Sequence, residues 1–186
     1  MRSGFRPRRR LLRSHAVNLV TGRTPGGSVW SSTDNMFNAH PDQITLLRNH
    51  CRLLKTPARE FLMLGKMLHP FELDVEKLTF DWGNGVGENA EKQTTIDPAI
   101  LTSSWQSPSG GIGHLFVNIS DRPQPLAIQL DTRNAPAWPT CDVHLWSSEE
   151  NATIRTLWEA TGLPREFSRE LQPLEVVFVE VRPPAG

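Results

Sequence analysis

Carboxylates, imidazoles, hydroxyls and indoles are the side chains of this chain that could do chemistry, and their spacing limits which chemistry. Acid–base hydrolysis needs two carboxyl groups held on either side of a bond. Glu149 and Glu150 are adjacent in a Ser/Glu/Asn turn and read as solvated. Glu72, Asp74 and Glu76 alternate along one extended run, which is the polar face expected of a strand. His40, His50, His69, His114 and His144 are scattered. His50 adjoins Cys51, but neighbouring helix positions point in different directions, so the pair is not a metal site. No serine has a nucleophile-elbow sequence around it. The stretch Gly83-Asn84-Gly85-Val86-Gly87 lacks the G-x-G-x-x-G order, which excludes a nucleotide loop. The two cysteines, Cys51 and Cys141, form no C-x-x-C pair and read as two buried free thiols. The chain calls for no metal and no cofactor.

Indoles are the other chemical resource. The sequence has 6 Trp and 0 Tyr. Trp105, Trp138, Trp146 and Trp158 either form a flat platform for sugars or fill a core, and the sequence leaves both open. Asn118-Ile119-Ser120 and Asn151-Ala152-Thr153 have the glycosylation-acceptor pattern.

Charge is uneven although the formal sum is zero. Arg2, Arg6, Arg8, Arg9, Arg10, Arg13 and Arg23 face no acid before Asp34, so the rest of the chain is net acidic. A basic arm of this kind can bind nucleic acid. No aromatic–basic interleaving or nucleic-acid motif follows, so nucleic acid is not the expected partner and residues 1–14 read as a disordered basic arm. The apolar run from Leu11 to Val20 is broken by Arg13, Ser14, His15 and Asn18, which argues against a secretory signal. An acid-free, Arg-rich transit peptide also fits, and the sequence assigns no compartment. No stretch approaches a membrane span.

These residues must be positioned by elements that the sequence also outlines. Ala16 to Phe37, with Thr21 to Ser28 at its centre, is Gly-, Ser- and Thr-rich and reads as loop. A helix is predicted from Pro41, with Asp42 in its first turn and Ile44, Leu47, Cys51 and Leu54 at helical spacing. A second short helical piece covers Ala58 to Leu68. After His69-Pro70 the period changes. Phe71 to Val75 and Lys77 to Trp82 alternate as extended runs. Strands are then expected at Ala99 to Gln106, Ile112 to Ile119, Pro125 to Leu130, Cys141 to Trp146, Thr153 to Trp158 and Leu174 to Val181. In the last, Val177, Val179 and Val181 fall on one face and Val176, Phe178 and Glu180 on the other. One inner face is expected to carry Leu115, Val117 and Ile119. Such regular short strands with turn punctuation predict a mainly β protein built as an antiparallel β-sandwich.

Three segments carry a resemblance. Thr56 to Pro70 holds Gly65-Lys66-Met67-Leu68-His69-Pro70 after an amphipathic helix. Trp105-Gln106-Ser107-Pro108-Ser109-Gly110-Gly111 opens a hairpin, and Leu171-Gln172-Pro173-Leu174-Glu175 leads into the final apolar strand. In this order they resemble the C-terminal end of large glycoside-hydrolase-like (β/α)8-barrel proteins, particularly the family known as DUF6259. The resemblance implies that residues 15–69 are a helical remnant of the end of such a barrel and that residues 70–186 are a β-sandwich accessory domain. It implies a non-catalytic C-terminal module, a fragment of a larger carbohydrate-active enzyme, since the opposed acids of the related barrels lie on strands absent here. If Ala16 to Phe37 ends the barrel, Trp30 is placed to stack on a sugar and Asp34 to bond a hydroxyl. The competing assignment has Trp30 packing and Asp34 capping local structure. Two alternatives stand beside this: a free-standing carbohydrate-binding module, and nucleic-acid binding through the Arg arm. Partners are then a carbohydrate, the parent barrel, or a second copy held through apolar surface on Pro41–Leu54 and Phe61–Leu68.

Overall fold

The computed structural model describes residues 7–24, 41–84, 91–131, 138–150 and 153–184. Among these residues three helices come first: α1 (Pro7–Val20), α2 (Pro41–Leu53) and α3 (Ala58–Leu64). Ten strands follow: β1 (Lys66–Leu68), β2 (Lys77–Asn84), β3 (Glu91–Pro98), β4 (Ile100–Gln106), β5 (Ile112–Asn118), β6 (Gln124–Leu130), β7 (Cys141–Ser147), β8 (Arg155–Thr161), β9 (Arg165–Leu171) and β10 (Val176–Arg182). A six-stranded sheet runs β1-β4-β5-β10-β7-β8, and two further pairs are β2-β3 and β6-β9. Every pairing is antiparallel. The mainly β, antiparallel sandwich-like architecture read from the sequence is the one observed.

The alternation of β10 sorts two cores. Val177, Val179 and Val181 join Ile112, Phe116, Val143 and Leu145 against Leu126, Ile128 and Phe167 of the β6-β9 pair. Val176 and Phe178 point the other way, into a cluster with Leu12, Ala16 and Leu19 of α1 and Leu46 and Leu53 of α2. The molecule is therefore three layers: helices, large sheet, small sheet. Leu115, Val117 and Ile119 lie in the helix-side core, not between the two sheets. A strand buried on both faces carries no alternation to tell the sequence reader which side is which.

Several expectations need correction. The segment read as an unstructured arm to residue 14 is helical from Pro7. Proline suits the first helical turn, and Leu12, Ala16 and Leu19 recur on one face that is buried, a stripe the arginine run obscures. The helix runs past Ala16, which was read as loop, and ends in a Schellman motif. Arg23 N donates to Asn18 O at 2.9 Å and Gly22 N to Leu19 O at 3.1 Å, with Gly22 at φ 68°. Helix α2 begins at Pro41 as predicted and buries Ile44, with Leu47 and Leu54 half-buried, but its buried face is centred on Gln43, Leu46, Asn49, His50 and Leu53, and Cys51 is exposed. Residues 69–76 are irregular, not a strand. The helical piece expected over Ala58 to Leu68 ends at Leu64, and Lys66–Leu68 pairs with β4 as a strand; strands β3 and β9 also lie where the sequence reading has none.

Candidate functional site

Three places bring chemically able side chains together. The first is a buried pair. Ser104 and His114 face each other across the β4–β5 ladder, and Ser104 Oγ lies 2.9 Å from His114 Nδ1. Both residues are buried, and the Phe71 ring packs on the imidazole at a tilt of 59° with centroids 4.8 Å apart. Burial pushes the His114 pKa down to about 4. A sealed, neutral imidazole without access to substrate satisfies a core hydroxyl and cannot activate it for attack.

The second is a polar cavity of about 380 Å³ bordered by Ser109, Asp142, His144 and Arg182. The Arg182 guanidinium stands 5.9 Å from the Phe61 ring centroid. Its Nε donates to Glu180, and its Nη2 lies 3.8 Å from Glu60 Oε2. Burial raises the Glu180 pKa, with Arg182 opposing. Glu60 accepts from Ser109 N at 3.1 Å, and hydrogen bonding from Ser109 lowers its pKa. Asp142 accepts from Ala160 N at 2.8 Å, and Thr156 Oγ1 is 3.2 Å from His144 Nδ1. Two carboxyl groups sharing one guanidinium make an ion-pair cluster, and neither is presented as an acid opposite a base. No group of three or more His, Cys, Asp or Glu able to hold a metal ion exists among the described residues.

The third is a cleft of about 490 Å³ where the sandwich opens between β8 and β9. Five consecutive residues, Glu166 to Glu170, border it, so it runs along the edge of β9 that pairs with no strand among the described residues. Leu157 and Trp158 border it from the other side although they are neighbours in sequence. A regular strand sends adjacent side chains to opposite faces. The β7–β8 ladder shifts register between Cys141 and Val143 and again between Val143 and His144, each time with an extra residue in β8. Bulges of this kind re-aim side chains and protect sheet edges. The same stretch holds Ala160 at φ 43°.

Electrostatics in this cleft are largely settled internally. Glu150 Oε2 is 2.9 Å from Arg155 Nε, and Glu150 Oε1 is 3.3 Å from Arg169 Nη1. Arg169 Nη2 donates to the fully buried Glu175 at 2.5 Å. Arg169 Nε is buried with no acceptor among the described residues.

The residues singled out from sequence are distributed as follows. Trp30 and Asp34 lie outside the described residues. Trp105 and Trp146 are buried in the helix-side core, and Trp105 Nε1 donates to Ser103 Oγ at 2.9 Å. Trp138 is half-buried against the inter-sheet core, and Trp158 reaches the cleft. The four indoles thus form no shared platform. Glu150 is paired, not simply solvated. Asn118 is fully buried, with Nδ2 donating to Arg122 O and Leu171 O at 2.9 Å each, so it offers no accessible amide for glycosylation. Asn151 is outside the described residues. Sequence reasoning missed Glu166, Arg169 and Glu170 because β9 was missed. The signal was weak: in Arg-Glu-Phe-Ser-Arg-Glu-Leu only Phe167 and Leu171 mark an inner face. No helix among the described residues is long and apolar enough to cross a membrane.

No protein-family model matches the chain, and no curated protein matches it. Among solved structures it is similar to a Paenibacillus polymyxa xyloglucanase from glycoside hydrolase family 44, with TM-score 0.32 and 14% identity over 50% of this chain and 18% of that one. It is also similar to a Bacillus halodurans C-125 protein provisionally described as an alpha-N-acetylgalactosaminidase, with TM-score 0.44 and 12% identity over 98% of this chain and 34% of that one. A GH30 endoxylanase from Clostridium papyrosolvens C71 gives TM-score 0.32 and 9% identity over 50% and 22%. The chain spans about a fifth to a third of the length of these structures.

Proposed function

We propose that this chain is a non-catalytic accessory module, the C-terminal β-sandwich with the last helices of a barrel, belonging to a larger glycoside-hydrolase-like protein of the DUF6259 type. One observation carries the reading: no carboxylic acid stands across a cavity from a second, opposed carboxylate among the described residues. Glu60 and Glu180 share Arg182, Glu150 and Glu175 share Arg169, and Ser104 with His114 is sealed. Hydrolysis needs an acid and an opposed carboxylate reaching one bond; Glu166 and Glu170, which border the β8–β9 cleft without an arginine partner, stand four residues apart on one strand, about 13 Å along it, and so flank no common bond. The motif order in the sequence supplies the family side of the proposal.

Met63, Leu64 and Met67 are exposed at the corner between α3 and β1. They would pack against the parent barrel, or against a second copy when the chain is alone. The apolar side of α2 is buried against α1 and the sheet and offers no such surface. A glycosidase assay on the purified chain tests the central claim. The expected result is no turnover of aryl glycosides or polysaccharides, and turnover retained through purification would overturn it. Light scattering at high concentration is expected to show self-association, and a clean monomer would count against the apolar contact.

A second reading, a carbohydrate-binding module, is favoured by one feature, the half-buried indole of Trp158 in an open cleft between carboxylates.

A further inference from the structure

We propose that the cleft between β8 and β9 binds a neutral oligosaccharide, with Trp158 as stacking platform and Glu166 and Glu170 as acceptors for sugar hydroxyls; this rests on the carbohydrate-binding reading above. The cleft volume of about 490 Å³ lies within the ~300–1,000 Å³ usual for small-ligand sites. The bulged edge of β8 brings Trp158 into it. Arg165 stands over the indole with its guanidinium carbon 5.9 Å from the ring centroid, is outside the cleft lining, and is itself anchored by Nε to Thr161 Oγ1 at 2.8 Å. The ring also packs partly on the inter-sheet core, and its exposed part borders the cleft. An aromatic face with a wet polar surround suits the C–H face of a sugar ring.

Charge selects the ligand class. Both arginines bordering the cleft are occupied, Arg155 by Glu150 and Arg169 by Glu150 and Glu175. Glu166 has no partner among the described residues, and Glu170 takes only Gln172 Nε2 at 3.3 Å. An anionic glycan would meet two free carboxylates on the cleft wall, with Arg165 behind the indole and outside the lining as the nearby arginine without a carboxylate among the described residues, whereas hydroxyl groups are natural donors to the two carboxylates. An extended peptide adding to the β9 edge would want apolar pockets for alternate side chains. The exposed wall here is Glu166, Ser168 and Glu170.

The test is titration of the full chain with cellohexaose, xylohexaose and mannohexaose, followed by intrinsic fluorescence and calorimetry. At least one hexaose is expected to bind saturably and shift the tryptophan emission. Trp158→Ala is expected to weaken that binding by roughly tenfold or more. Glu166→Ala, an exposed change that leaves folding intact, is expected to weaken it several-fold with no change in Tm. Added salt should alter the affinity little, since no charge pair forms. Wild-type binding that neither substitution weakens would overturn this cleft as the site and leave the carbohydrate-binding reading standing. No response of the wild type to any hexaose, the result for a cleft that serves a peptide, would overturn both.

Discussion

Phe61 of α3 meets Phe178 of β10 edge to face, ring centroids 5.3 Å apart, directly above Gly113 of β5. A Cβ on Gly113 would stand 2.5 Å from Phe178 Cζ and 2.9 Å from Phe61 Cδ1. The glycine is thus the seat that lets α3 dock on the large sheet. Gly113→Ala is expected to destabilise the fold by about 1–3 kcal/mol through overpacking. Urea unfolding with an unchanged m-value reads this directly. A neutral result would mean that the two rings shift at no cost.

The same contact shows what the sequence could and could not tell. Ile112 to Ile119 was legible as a strand because its residues are β-branched and apolar. Which of its faces meets helices was not, since both are buried. Strand β9 was invisible because a two-stranded layer needs few inward apolar residues, and Arg169 holds one inner position through an ion pair. Helix α1 was hidden under its arginines. The cleft depended on β9 and on bulges in β8, so no local pattern announced it; of its lining the sequence reading singles out Glu150 and Trp158.

Arg169 and Glu175 form the second relationship with a measurable consequence. The Glu175 carboxylate is fully buried and accepts Arg169 Nη2 at 2.5 Å, Ser147 Oγ at 2.6 Å and Gln172 N at 2.8 Å. Removing one partner of a buried pair strands the other charge. Glu175→Ala is expected to cost about 3–5 kcal/mol, seen as a lowered urea midpoint. A loss below about 1 kcal/mol would place the pair among ordinary surface bridges.

Acid should loosen the molecule through two histidines. Burial, then the nearby His15, lowers the His50 pKa to about 4, and burial lowers that of His114 to about 4. Both folded values lie below the unfolded value near 6.5. The unfolded chain therefore takes up these protons first, and the stabilisation is full above pH ~6.5 and is lost as pH falls toward 4. The slope reaches about 1.4 kcal/mol per pH unit for each histidine. Glu180, raised by burial, acts in the opposite sense and softens the lower end. Tm against pH should stay flat above 7 and fall below 6.5. His50→Leu, which also removes a buried Nε2 that has no partner among the described residues, should flatten part of that fall. An unaltered slope would exclude the helix-pair histidine as its source.

Cys51 and Cys141 should differ sharply as nucleophiles. Cys51 is exposed on α2, whereas Cys141 is buried on β7 with Sγ donating to Thr161 O at 3.4 Å. Burial, and then Asp142, raise the Cys141 pKa, so its thiolate is scarce as well as shielded. A disulfide-exchange reagent on the native chain should label one thiol quickly and the second slowly. The slow phase should accelerate with urea in step with unfolding, because Cys141 is reached only when the β7–β8 ladder opens. Cys51→Ser should remove the fast phase and leave the slow one. Simultaneous labelling of both thiols would mean that β8 frays from β7 under native conditions, and with it one wall of the cleft.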